Sequence, residues 1–426
     1  MEIRALKGFK DILPGEVEQW QWVEERARGL FHRFGFTEIR MPVLEKTELF
    51  CRSIGETSDI VEKEMYTFED RNGDLVTLRP EGTASVIRAL VEHTLHAANP
   101  VTRLYTMGPM FRHERPQKGR LRQFHQLSVE AIGSGNPAID VEVMAMAWQL
   151  LLELKIPVAL EINSLGCHGC RQGFRHELVS FLDPLAEDLC PDCRRRKDTN
   201  PLRVLDCKSE NCRQHVKDAP AIIDYLCNGC REHFALVKKR LDLLHIPYLV
   251  NPFMVRGLDY YCRTTFELVT GELGSQSAVG AGGRYDGLIG QLGGPDLPGI
   301  GFAIGMERLI LLLEKGKREI PQRKVDLFCL ALGREAEERV FPLVHFLRAK
   351  GVMAVLDFEG RSLKAQLKLA DRLRASYVYI LGERELQEGV GQLRNMATGI
   401  QVPVSVHADT AQWGELVLSN INKNDK

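Results

Sequence analysis

The sequence lacks long hydrophobic runs and an excess of charge of either sign, and each absence excludes a class of protein. Its apolar runs, such as residues 309–313, are far too short to cross a lipid bilayer. The 56 Lys and Arg residues balance 57 Asp and Glu residues, which excludes a uniformly basic protein that coats nucleic acid but allows a local basic site. With 44% hydrophobic and 27% charged residues, the 426-residue chain has the composition of a globular protein of about two to four domains.

Three common catalytic and nucleotide-binding motifs are also missing. There is no G-x-x-x-x-G-K-[ST] phosphate loop, no H-E-x-x-H zinc helix and no G-x-S-x-G nucleophile elbow. The glycine-rich run 280–287 does not match the G-x-G-x-x-G dinucleotide fingerprint either. If the protein binds a nucleotide, arginine side chains and a sheet have to hold it.

The first ten residues, MEIRALKGFK, contain no positively charged segment followed by an apolar stretch. We therefore expect no secretory signal, a cytoplasmic and reducing compartment, and no membrane association. In that setting the eleven cysteines suggest metal or redox chemistry before disulfides.

Eight of the cysteines are concentrated in one polar, Arg-rich segment and form four close pairs. The pairs are Cys167 with Cys170, Cys190 with Cys193, Cys207 with Cys212, and Cys227 with Cys230. Nineteen residues separate the first two pairs, which fits a four-cysteine zinc site, and the last two pairs could build another. The alternative is that the thiols pack as small buried residues.

Changes of pattern along the chain predict its domains. Residues 1–325 mix helical and strand-like periodicities and form a first domain, and the helical, Cys-rich segment 166–236 is an insertion within it. A charged linker broken by Pro321 leads into residues 326–426, where strands alternate with helices as in a small α/β domain.

The periodicity also predicts individual elements. In the first domain we expect a helix over 16–34 followed by a strand over 36–43. In the second domain we expect strands over 326–332, 352–356 and 377–381, helices over 335–350, 362–375 and 409–420, and a frayed end from residue 420.

The densest polar run, residues 111–126, predicts a hairpin with cations at its tip. Planar guanidinium groups such as that of Arg112 can bind phosphate oxygens at two points. A solvated basic loop is the simpler alternative, since most charge runs behave in that way. The flanking Glu114, Gln126 and Glu130 favour a binding site, because a solvated loop has no need of acceptors on its supporting strands.

Two further groups combine cations with aromatic or small residues. Arg256 lies close to the adjacent Tyr260 and Tyr261, and these groups together suit the orientation of a small polar ligand. A tyrosine-rich strand is, however, more often part of a core. Arg308 lies in the first turn of a predicted helix, where a cation is unfavourable unless it binds a phosphate or pairs with a neighbouring carboxylate.

These three groups carry a resemblance to a known family. Together with the run 35–45, GFTEIRMPVLE, they resemble motifs 1, 2 and 3 of class II aminoacyl-tRNA synthetases. The runs RGLDYY (256–261) and GGRYD (282–286) are similar to the two signatures of the histidyl-tRNA synthetase family, and LRPEGT (78–83) is similar to its amino-acid loop. The resemblance extends from KGFKDILP at 7–14 to the C-terminal domain.

The resemblance implies a fold and a reaction. The implied fold is an α+β catalytic core with an antiparallel sheet flanked by helices, a helical insertion and a C-terminal α/β anticodon-binding domain. The implied reaction joins L-histidine and ATP, with Mg²⁺, into histidyl-adenylate and pyrophosphate, and then transfers histidine to the 3′ end of tRNA(His). The resemblance also implies a homodimer, but it does not imply zinc, because the family does not require metal in the insertion.

By the same resemblance, individual residues take roles in this reaction. Arg256 and Arg112 would be the catalytic arginines. Histidine would be bound by Glu81, Gly82, Thr83, Gln126, Glu130, Arg256, Tyr260 and Tyr261, and ATP by Arg112, Glu114 and Arg308. Contacts to tRNA would come from Arg115, Gln117, Lys118 and Arg120 on the hairpin tip and from Arg361, Lys364 and Lys368 in the second domain.

The cations of the second domain have a pattern of their own. Arg361, Lys364, Lys368 and Arg372 fall close to one face of a predicted helix, and Leu363, Leu367, Ala370 and Leu373 take the other face. A solvated helix face is the alternative, and the position of the family's anticodon-binding domain favours tRNA.

Two other functions compete with the synthetase interpretation. A non-catalytic paralogue that regulates a histidine-biosynthetic enzyme would keep the fold but lose the histidine signatures and the anticodon domain. A zinc-bearing RNA-binding protein without chemistry would explain the cysteines and the basic stripes. It would leave Glu81, Glu130, Tyr261 and Arg256 unexplained.

Overall fold

The computed structural model describes residues 3–55, 58–273, 278–317 and 324–424. Contacts divide the chain into two compact units, Met1–Ile320 and Pro321–Lys426. In the described part of the chain, no helix is both long and apolar enough to cross a membrane.

The first unit contains ten α-helices and eleven strands among its described residues, besides short 3-10 and π turns. The helices are α1 (Val17–Arg33), α2 (Thr47–Ile54), α3 (Thr83–Glu92), α4 (Pro137–Glu153), α5 (His168–Leu182), α6 (Pro191–Thr199), α7 (Glu210–Val216), α8 (Asn228–Leu243), α9 (Leu288–Gln291) and α10 (Met306–Lys315). The strands are β1 (Thr37–Glu38), β2 (Leu44–Lys46), β3 (Tyr66–Glu69), β4 (Leu75–Leu78), β5 (Thr102–Phe111), β6 (Gln123–Ile132), β7 (Ala159–Ser164), β8 (Tyr248–Val250), β9 (Cys262–Val269), β10 (Ala278–Arg284) and β11 (Gly299–Gly305).

Eight of these strands form one large sheet in the order β1-β5-β6-β11-β10-β9-β7-β8. Every pairing is antiparallel except those of β1 with β5 and of β7 with β8. The register places Gly301 of β11 opposite Glu130 of β6. Strands β2, β4 and β3 form a separate three-stranded sheet.

The main core lies between the large sheet and helices α1, α4, α8 and α10. Helix α1 contributes Trp20, Val23, Ala27, Leu30 and Phe31, whose spacing of three or four residues buries one helix face. The predicted helix over 16–34 is therefore confirmed. So is the predicted α+β core, an antiparallel sheet flanked by helices.

A buried ion pair ties α4 and α8 to the middle of the sheet. Asp140 of α4 and Arg284 of β10 are both fully buried and lie 2.7 Å apart. Oδ2 of Asp140 also lies 2.7 Å from Nε2 of His233 and accepts a 2.6 Å hydrogen bond from Thr264 Oγ1. Because each charge has several partners, the cost of burying this pair is offset.

The predicted strand over 36–43 is largely wrong. Only Thr37 and Glu38 pair with β5, and a single further bond joins the amide of Ile39 to the carbonyl of Tyr105 at 2.8 Å. The side chain of Arg79 then binds the Met41 carbonyl at 3.1 Å, which leads the chain away from the sheet. An arginine distant in sequence supplies this contact, so local periodicity could not predict it.

The insertion consists of helices α5 to α8, and each connection between them contains a 3-10 helix, at Asp183–Asp188, Pro201–Val204 and Ile222–Tyr225. Helix α5 starts soon after β7, and α8 returns to pack against α4. A small core separate from the main one holds these helices together. Its buried residues are Phe174, Leu178, Leu182, Leu189, Cys193, Val204, Cys207, Cys212, Val216, Ala219 and Ile222.

The second unit is a five-stranded sheet with helices packed against it. Its strands are β12 (Leu327–Ala331), β13 (Ala354–Leu356), β14 (Tyr377–Leu381), β15 (Val390–Asn395) and β16 (Gln401–Ser405), in the order β13-β12-β14-β15-β16. Its helices are α11 (Arg334–Ala349), α12 (Leu363–Arg372), α13 (Glu383–Glu388) and α14 (Thr410–Asn424). The first three strands of the order are parallel, and β15 and β16 are antiparallel.

The α/β pattern predicted for this unit is confirmed, with two differences. The sequence did not predict α13, β15 or β16, because the hairpin is short and only Leu393 and Val404 supply fully apolar buried side chains within it. The expected fraying from residue 420 is also wrong, since α14 continues to Asn424 and Ile421 is buried.

Candidate active site

A cleft of about 260 Å³ opens on the large sheet of the first unit. It gathers most of the residues predicted to bind histidine and ATP. Those that line it are Glu81, Gly82, Thr83, Arg112, Glu114, Gln126, Arg256, Tyr260, Tyr261 and Arg308. These side chains come from segments more than 200 residues apart, which the sheet brings together.

Glu130 lies behind the lining of the cleft and is 1% exposed. Its Oε1 accepts a 2.6 Å hydrogen bond from Thr83 Oγ1, and its Oε2 accepts a 2.6 Å bond from the Tyr285 hydroxyl. Burial raises the pKa of Glu130 to about 8. A Cβ at Gly301 would lie 2.0 Å from Oε2, so only glycine leaves room for this carboxyl.

A second buried carboxylate, Glu81, lies at the start of α3. It accepts 2.7 Å hydrogen bonds from the backbone amides of Thr83 and Ala84, and burial raises its pKa. Nearby, Oε1 of Gln126 is buried without a hydrogen-bond partner among the described residues. An acceptor in this state fits a cationic ligand group such as an ammonium.

Arg256 contacts an aromatic ring and a carboxylate in the cleft. Its guanidinium lies 5.3 Å from the centre of the Tyr261 ring and forms an ion pair with Glu267 of β9. The Tyr260 ring lies 4.7 Å from that of Tyr261. Burial raises the pKa of both tyrosines, so their hydroxyls remain hydrogen-bond donors.

The other end of the cleft carries an excess of positive charge. Arg112, which follows β5, donates to the Pro80 carbonyl at 2.8 Å and stacks 5.4 Å from the Phe124 ring. Arg308, in the first turn of α10, contacts the Ala278 carbonyl. Burial, and then the charges of Arg120 and Arg112, lower the pKa of Arg308. An anion at this position would relieve that repulsion.

The hairpin tip divides its residues between solvent and the cleft. Arg115, Gln117 and Lys118 are exposed. Arg120, predicted with them as a tRNA contact, instead turns inward, pairs with Glu114 and lines the cleft. The structure thus places Arg120 with the proposed ATP ligands.

In the second unit, α12 presents fewer cations than predicted. Lys364 and Lys368 are exposed on the helix, but Arg361 precedes the helix and pairs with Asp357. Leu363, predicted to face the core, is 42% exposed. The rest of the predicted apolar face is confirmed, since Ala370 is buried and Leu367 and Leu373 pack against the same core. Gln366 is buried as well, because its amide donates to the carbonyls of Ala331 and Arg361, at 2.9 and 2.7 Å.

Two partners of the predicted site residues were not themselves predicted, and one of them, Glu267, lines the cleft. Glu267 pairs with Arg256, and Tyr285 bonds to Glu130. Tyr285 lies in the GGRYD run, where its neighbour Arg284 proves to be a buried structural cation. A glutamate between the apolar Phe266 and Leu268 of β9 was the available indication for Glu267.

The eight cysteines of the insertion carry free thiols and gather into two quartets. The outer quartet is Cys167, Cys170, Cys227 and Cys230, and the inner quartet is Cys190, Cys193, Cys207 and Cys212. The sequential pairing suggested by spacing is therefore wrong. The last pair lies at the start of α8, the helix that leads back to the sheet, and it meets the first pair beside the end of β7, so these two pairs enclose the middle two along the chain.

Comparison with known proteins gives the family. The family model described as histidyl-tRNA synthetase matches residues 8–205 and 202–309, and the model of an anticodon binding domain matches residues 326–409. The chain belongs to the histidyl-tRNA synthetase family. This membership confirms the resemblance drawn from the three motifs and two signatures.

Individual relatives match over almost the whole chain. The histidine–tRNA ligase of Desulfotalea psychrophila is 58% identical over 409 residues, covering 96% of this chain and 95% of that protein. The histidine–tRNA ligase of Syntrophotalea carbinolica is 55% identical, covering 95% of this chain and 97% of that protein. The crystal structure of apo S. aureus histidyl-tRNA synthetase superposes with a TM-score of 0.82 at 35% identity, covering 100% of both chains.

Proposed function

We propose that this cleft carries out both steps of histidine–tRNA ligation. Identities of 50% to 58% with curated ligases give the chain this activity: ATP-dependent activation of L-histidine, then transfer of histidine to tRNA. Mg²⁺ enters with ATP as part of the substrate. The observation that carries the proposal is a single cleft with a buried carboxyl, Glu130, behind the lining of one end and three arginines, Arg112, Arg120 and Arg308, at the other.

The histidine end would recognise the amino acid by its two polar parts. Glu130 and Tyr261 would pair with the imidazole nitrogens, and Glu81, Thr83 and Gln126 would bind the α-ammonium group. The unpartnered Oε1 of Gln126 supports the second assignment. A different amino acid would leave these buried groups without partners, which is a strong basis for selectivity.

The arginine end would bind ATP. One carboxylate oxygen of histidine attacks the α-phosphorus and the bond to the β-phosphate oxygen breaks, so histidyl-adenylate forms and pyrophosphate leaves. Negative charge accumulates on the α-phosphate during this step, and Arg112 and Arg256 would stabilise it. Arg308 would bind the γ-phosphate, with Glu114 and Arg120 beside it.

The second step needs the acceptor end of tRNA at the same cleft. A terminal ribose hydroxyl attacks the histidyl carbonyl and displaces AMP. We assign the exposed Arg115, Gln117 and Lys118 to the acceptor arm and Arg361, Lys364 and Lys368 to the anticodon side. Residues 1–325 would form the catalytic domain, with the insertion at 166–236, and residues 326–426 the anticodon-binding domain. The proposal includes a cytoplasmic location, where tRNA and ATP are available.

We also propose that the protein works as a homodimer. The small sheet of β2, β4 and β3 exposes apolar side chains at or beside its strands: Val43 37%, Leu44 44%, Phe68 47% and Leu75 54%. Apolar groups clustered in this way favour burial against a second copy of the chain. Sedimentation of the wild type and of Phe68→Glu tests this assignment, with a shift toward monomer expected for the variant.

For the insertion we propose structural Zn²⁺, which the family's reaction does not need. Two groups of four thiols within 4.8 Å support it, and they are the only metal-ligand clusters in the described ranges. Elemental analysis after purification without chelators provides the test. A zinc content below about a tenth of an equivalent would exclude this metal.

One assay separates the synthetase from its two competitors. Histidine-dependent ATP–pyrophosphate exchange followed by charging of tRNA(His) is expected of the synthetase. A regulatory paralogue and a non-catalytic RNA-binding protein would show neither. The match of an anticodon-binding domain to residues 326–409 already disfavours the paralogue.

A further inference from the structure

The sulfur atoms of the two quartets have the spacing of metal ligands. Four thiolates around one tetrahedral Zn²⁺, with bonds of about 2.3 Å, lie about 3.8 Å from one another. Sγ of Cys167 lies 3.6 Å from Sγ of Cys170, and Sγ of Cys190 lies 3.9 Å from Sγ of Cys207. These distances are far longer than the roughly 2.05 Å of a disulfide. Purely thiolate ligands at tetrahedral spacing are typical of zinc.

Packing alone does not account for these cysteines. Cys227 is exposed, yet its sulfur lies within 4.8 Å of the other three of its quartet. Helix α6, described over its whole length, buries one residue, Cys193. A backbone amide also points at a sulfur in each quartet, from Cys227 to Cys170 at 3.1 Å and from Cys190 to Cys212 at 3.2 Å. Such amides stabilise thiolates.

The outer quartet adjoins the large sheet. It begins at Cys167, three positions after β7 ends at Ser164. Gly166 between them has φ +63°, and a Cβ there would lie 2.5 Å from the Cβ of Cys170. The quartet therefore fixes the first turn of α5 directly against the end of β7.

The residue after Cys170 connects this turn to the histidine end of the cleft. Nη1 of Arg171 donates to the backbone carbonyls of Tyr261, at 3.1 Å, and Asp259, at 3.3 Å. Arg171 and Tyr261 both line a second cavity, of about 280 Å³, between the insertion and the run 256–261. That cavity shares Arg256, Leu258 and Tyr261 with the main cleft. The insertion is thus one wall of the space behind the histidine pocket.

We infer that each quartet binds one Zn²⁺ and that the outer ion, by fixing Arg171, positions Tyr261 in the histidine pocket. The inference rests on the proposed zinc and the proposed histidine site. Four thiols bind each ion as thiolates and release up to four protons. Without the outer ion, the first turn of α5 loses its anchor at Cys167 and Cys170. Backbone bonds of Leu165 and Gly166 to Arg263, at 2.7 and 2.8 Å, still hold the chain before the helix, but the donor of the two carbonyl bonds of Arg171 is less firmly fixed. Arg171 acts as a positioning residue.

Metal analysis of three proteins tests the two sites. The wild type, purified with a reductant and without chelators, should contain two zinc ions per chain. The double variants Cys167→Ser/Cys170→Ser and Cys190→Ser/Cys193→Ser should each contain one. Absence of zinc from the wild type would overturn both the proposed zinc and the inference, and stoichiometric iron would do the same.

Kinetics of ATP–pyrophosphate exchange test the positioning role separately. Arg171→Ala retains all eight cysteines and should keep both zinc ions. Because the variant loses both bonds to the backbone of the run 256–261, it should raise the histidine KM at least about tenfold, equal to ~1.4 kcal/mol. The ATP KM should not change, and Arg171→Lys, which can reach one carbonyl, should restore part of the affinity. The variant Cys167→Ser/Cys170→Ser, which lacks the outer ion, should show the same rise in the histidine KM.

Arg196→Ala is the matched control. Arg196 also lies in the insertion, but it pairs with Asp59 at 2.7 Å and is not among the residues that line the cavity beside the run 256–261. Its histidine KM should remain at the wild-type value. If Arg171→Ala retains two zinc ions and an unchanged histidine KM, the positioning role is wrong while the zinc sites stand. An equal rise in Arg196→Ala would show that any damage to the insertion has this effect.

Discussion

The hydroxyl of Tyr285 donates a 2.6 Å hydrogen bond to Oε2 of Glu130. Tyr285 follows β10 and Glu130 lies on β6, so the bond passes over β11, which lies between these strands in the sheet. Glycine at position 301 leaves the space for it. The LRPEGT run, through Thr83, and the GGRYD run, through Tyr285, thus meet the hairpin strand at one carboxyl. This contact links the sequence signatures to the proposed imidazole site.

Glu130 should make stability depend on pH. Its pKa rises from 4.5 to about 8 in the folded protein, so the folded state retains a proton that the unfolded chain has released between these values. This contribution to stability is fully present below pH 4.5 and is lost as pH rises through about 8. Glu130→Gln, which stays neutral, should therefore gain stability relative to wild type as pH rises from 4.5 to about 8, as measured by thermal unfolding. The exposed Glu359→Gln is the control, and parallel profiles for wild type and Glu130→Gln would contradict the prediction.

Gly301→Ala should damage the histidine site by overpacking. The new Cβ would lie 2.0 Å from Oε2 of Glu130 and 2.4 Å from the Val129 carbonyl. We expect a loss of about 1–3 kcal/mol of stability and a raised histidine KM. Gly29→Ala, with nothing within 4 Å of its Cβ, should not lower stability. Calorimetry and pyrophosphate exchange on both variants provide the test, and normal kinetics in Gly301→Ala would show that the carboxyl can move freely.

Arg256→Ala should nearly abolish adenylate formation while histidine still binds. The side chain offers a preorganised cation, and its Nε is buried without a hydrogen-bond partner among the described residues. We expect the exchange rate to fall about 100- to 1,000-fold. Arg384→Ala, on the surface of the second unit, should retain full activity. An exchange rate like that of the wild type would remove Arg256 from the mechanism.

Arg308→Ala should weaken ATP binding selectively. Burial and two neighbouring arginines disfavour the charge of Arg308 in the absence of an anion, so a phosphate group should stabilise it strongly. We expect the ATP KM to rise about tenfold, or ~1.4 kcal/mol, with the histidine KM unchanged. Steady-state exchange with each substrate varied in turn measures both values. A rise in the histidine KM alone would show that Arg308 acts at the histidine end of the cleft and not at the ATP end.

The exposed lysines of α12 should matter only in the second step. Lys364→Ala/Lys368→Ala should raise the KM for tRNA(His) and leave pyrophosphate exchange unchanged. Loss of two phosphate contacts should also lower the slope of log affinity against log salt by about 2. Lys350→Ala, whose side chain pairs with Glu415 at 2.7 Å, is the control. If the double variant binds tRNA(His) as tightly as the wild type does, the lysines of α12 form a solvated helix face and do not contact tRNA.

Sequence reasoning predicted the elements and residues whose patterns are local. The periodicity of α1 and the alternation of strands and helices in the second unit depend on neighbours along the chain, and they were predicted correctly. The strand over 36–43 was not, because the distant Arg79 ends its pairing. Leu363 was placed on the wrong helix face because Gln366, a polar residue, is the buried one.

The site itself was predicted mainly through the family resemblance. Composition and spacing indicated where cations and tyrosines collect, but not that Arg256 pairs with Glu267 or that Tyr285 reaches Glu130. Those contacts join strands that are adjacent only in the sheet. The cysteine spacing correctly indicated groups of four thiols. It did not show which cysteines belong to which group, because the members of each quartet are brought together only by the fold.

Nested quartets have a consequence for how the insertion folds. The inner loop closes between Cys190 and Cys212, entirely within the segment that the outer loop closes between Cys167 and Cys230. The entropic cost of closing a loop grows with its length, so the shorter inner closure is the cheaper first event. Once the inner quartet has formed, the flexible segment between Cys170 and Cys227 is effectively shorter, so closing the outer quartet costs less entropy. The insertion can therefore assemble from its tip toward the sheet, without threading one segment through another.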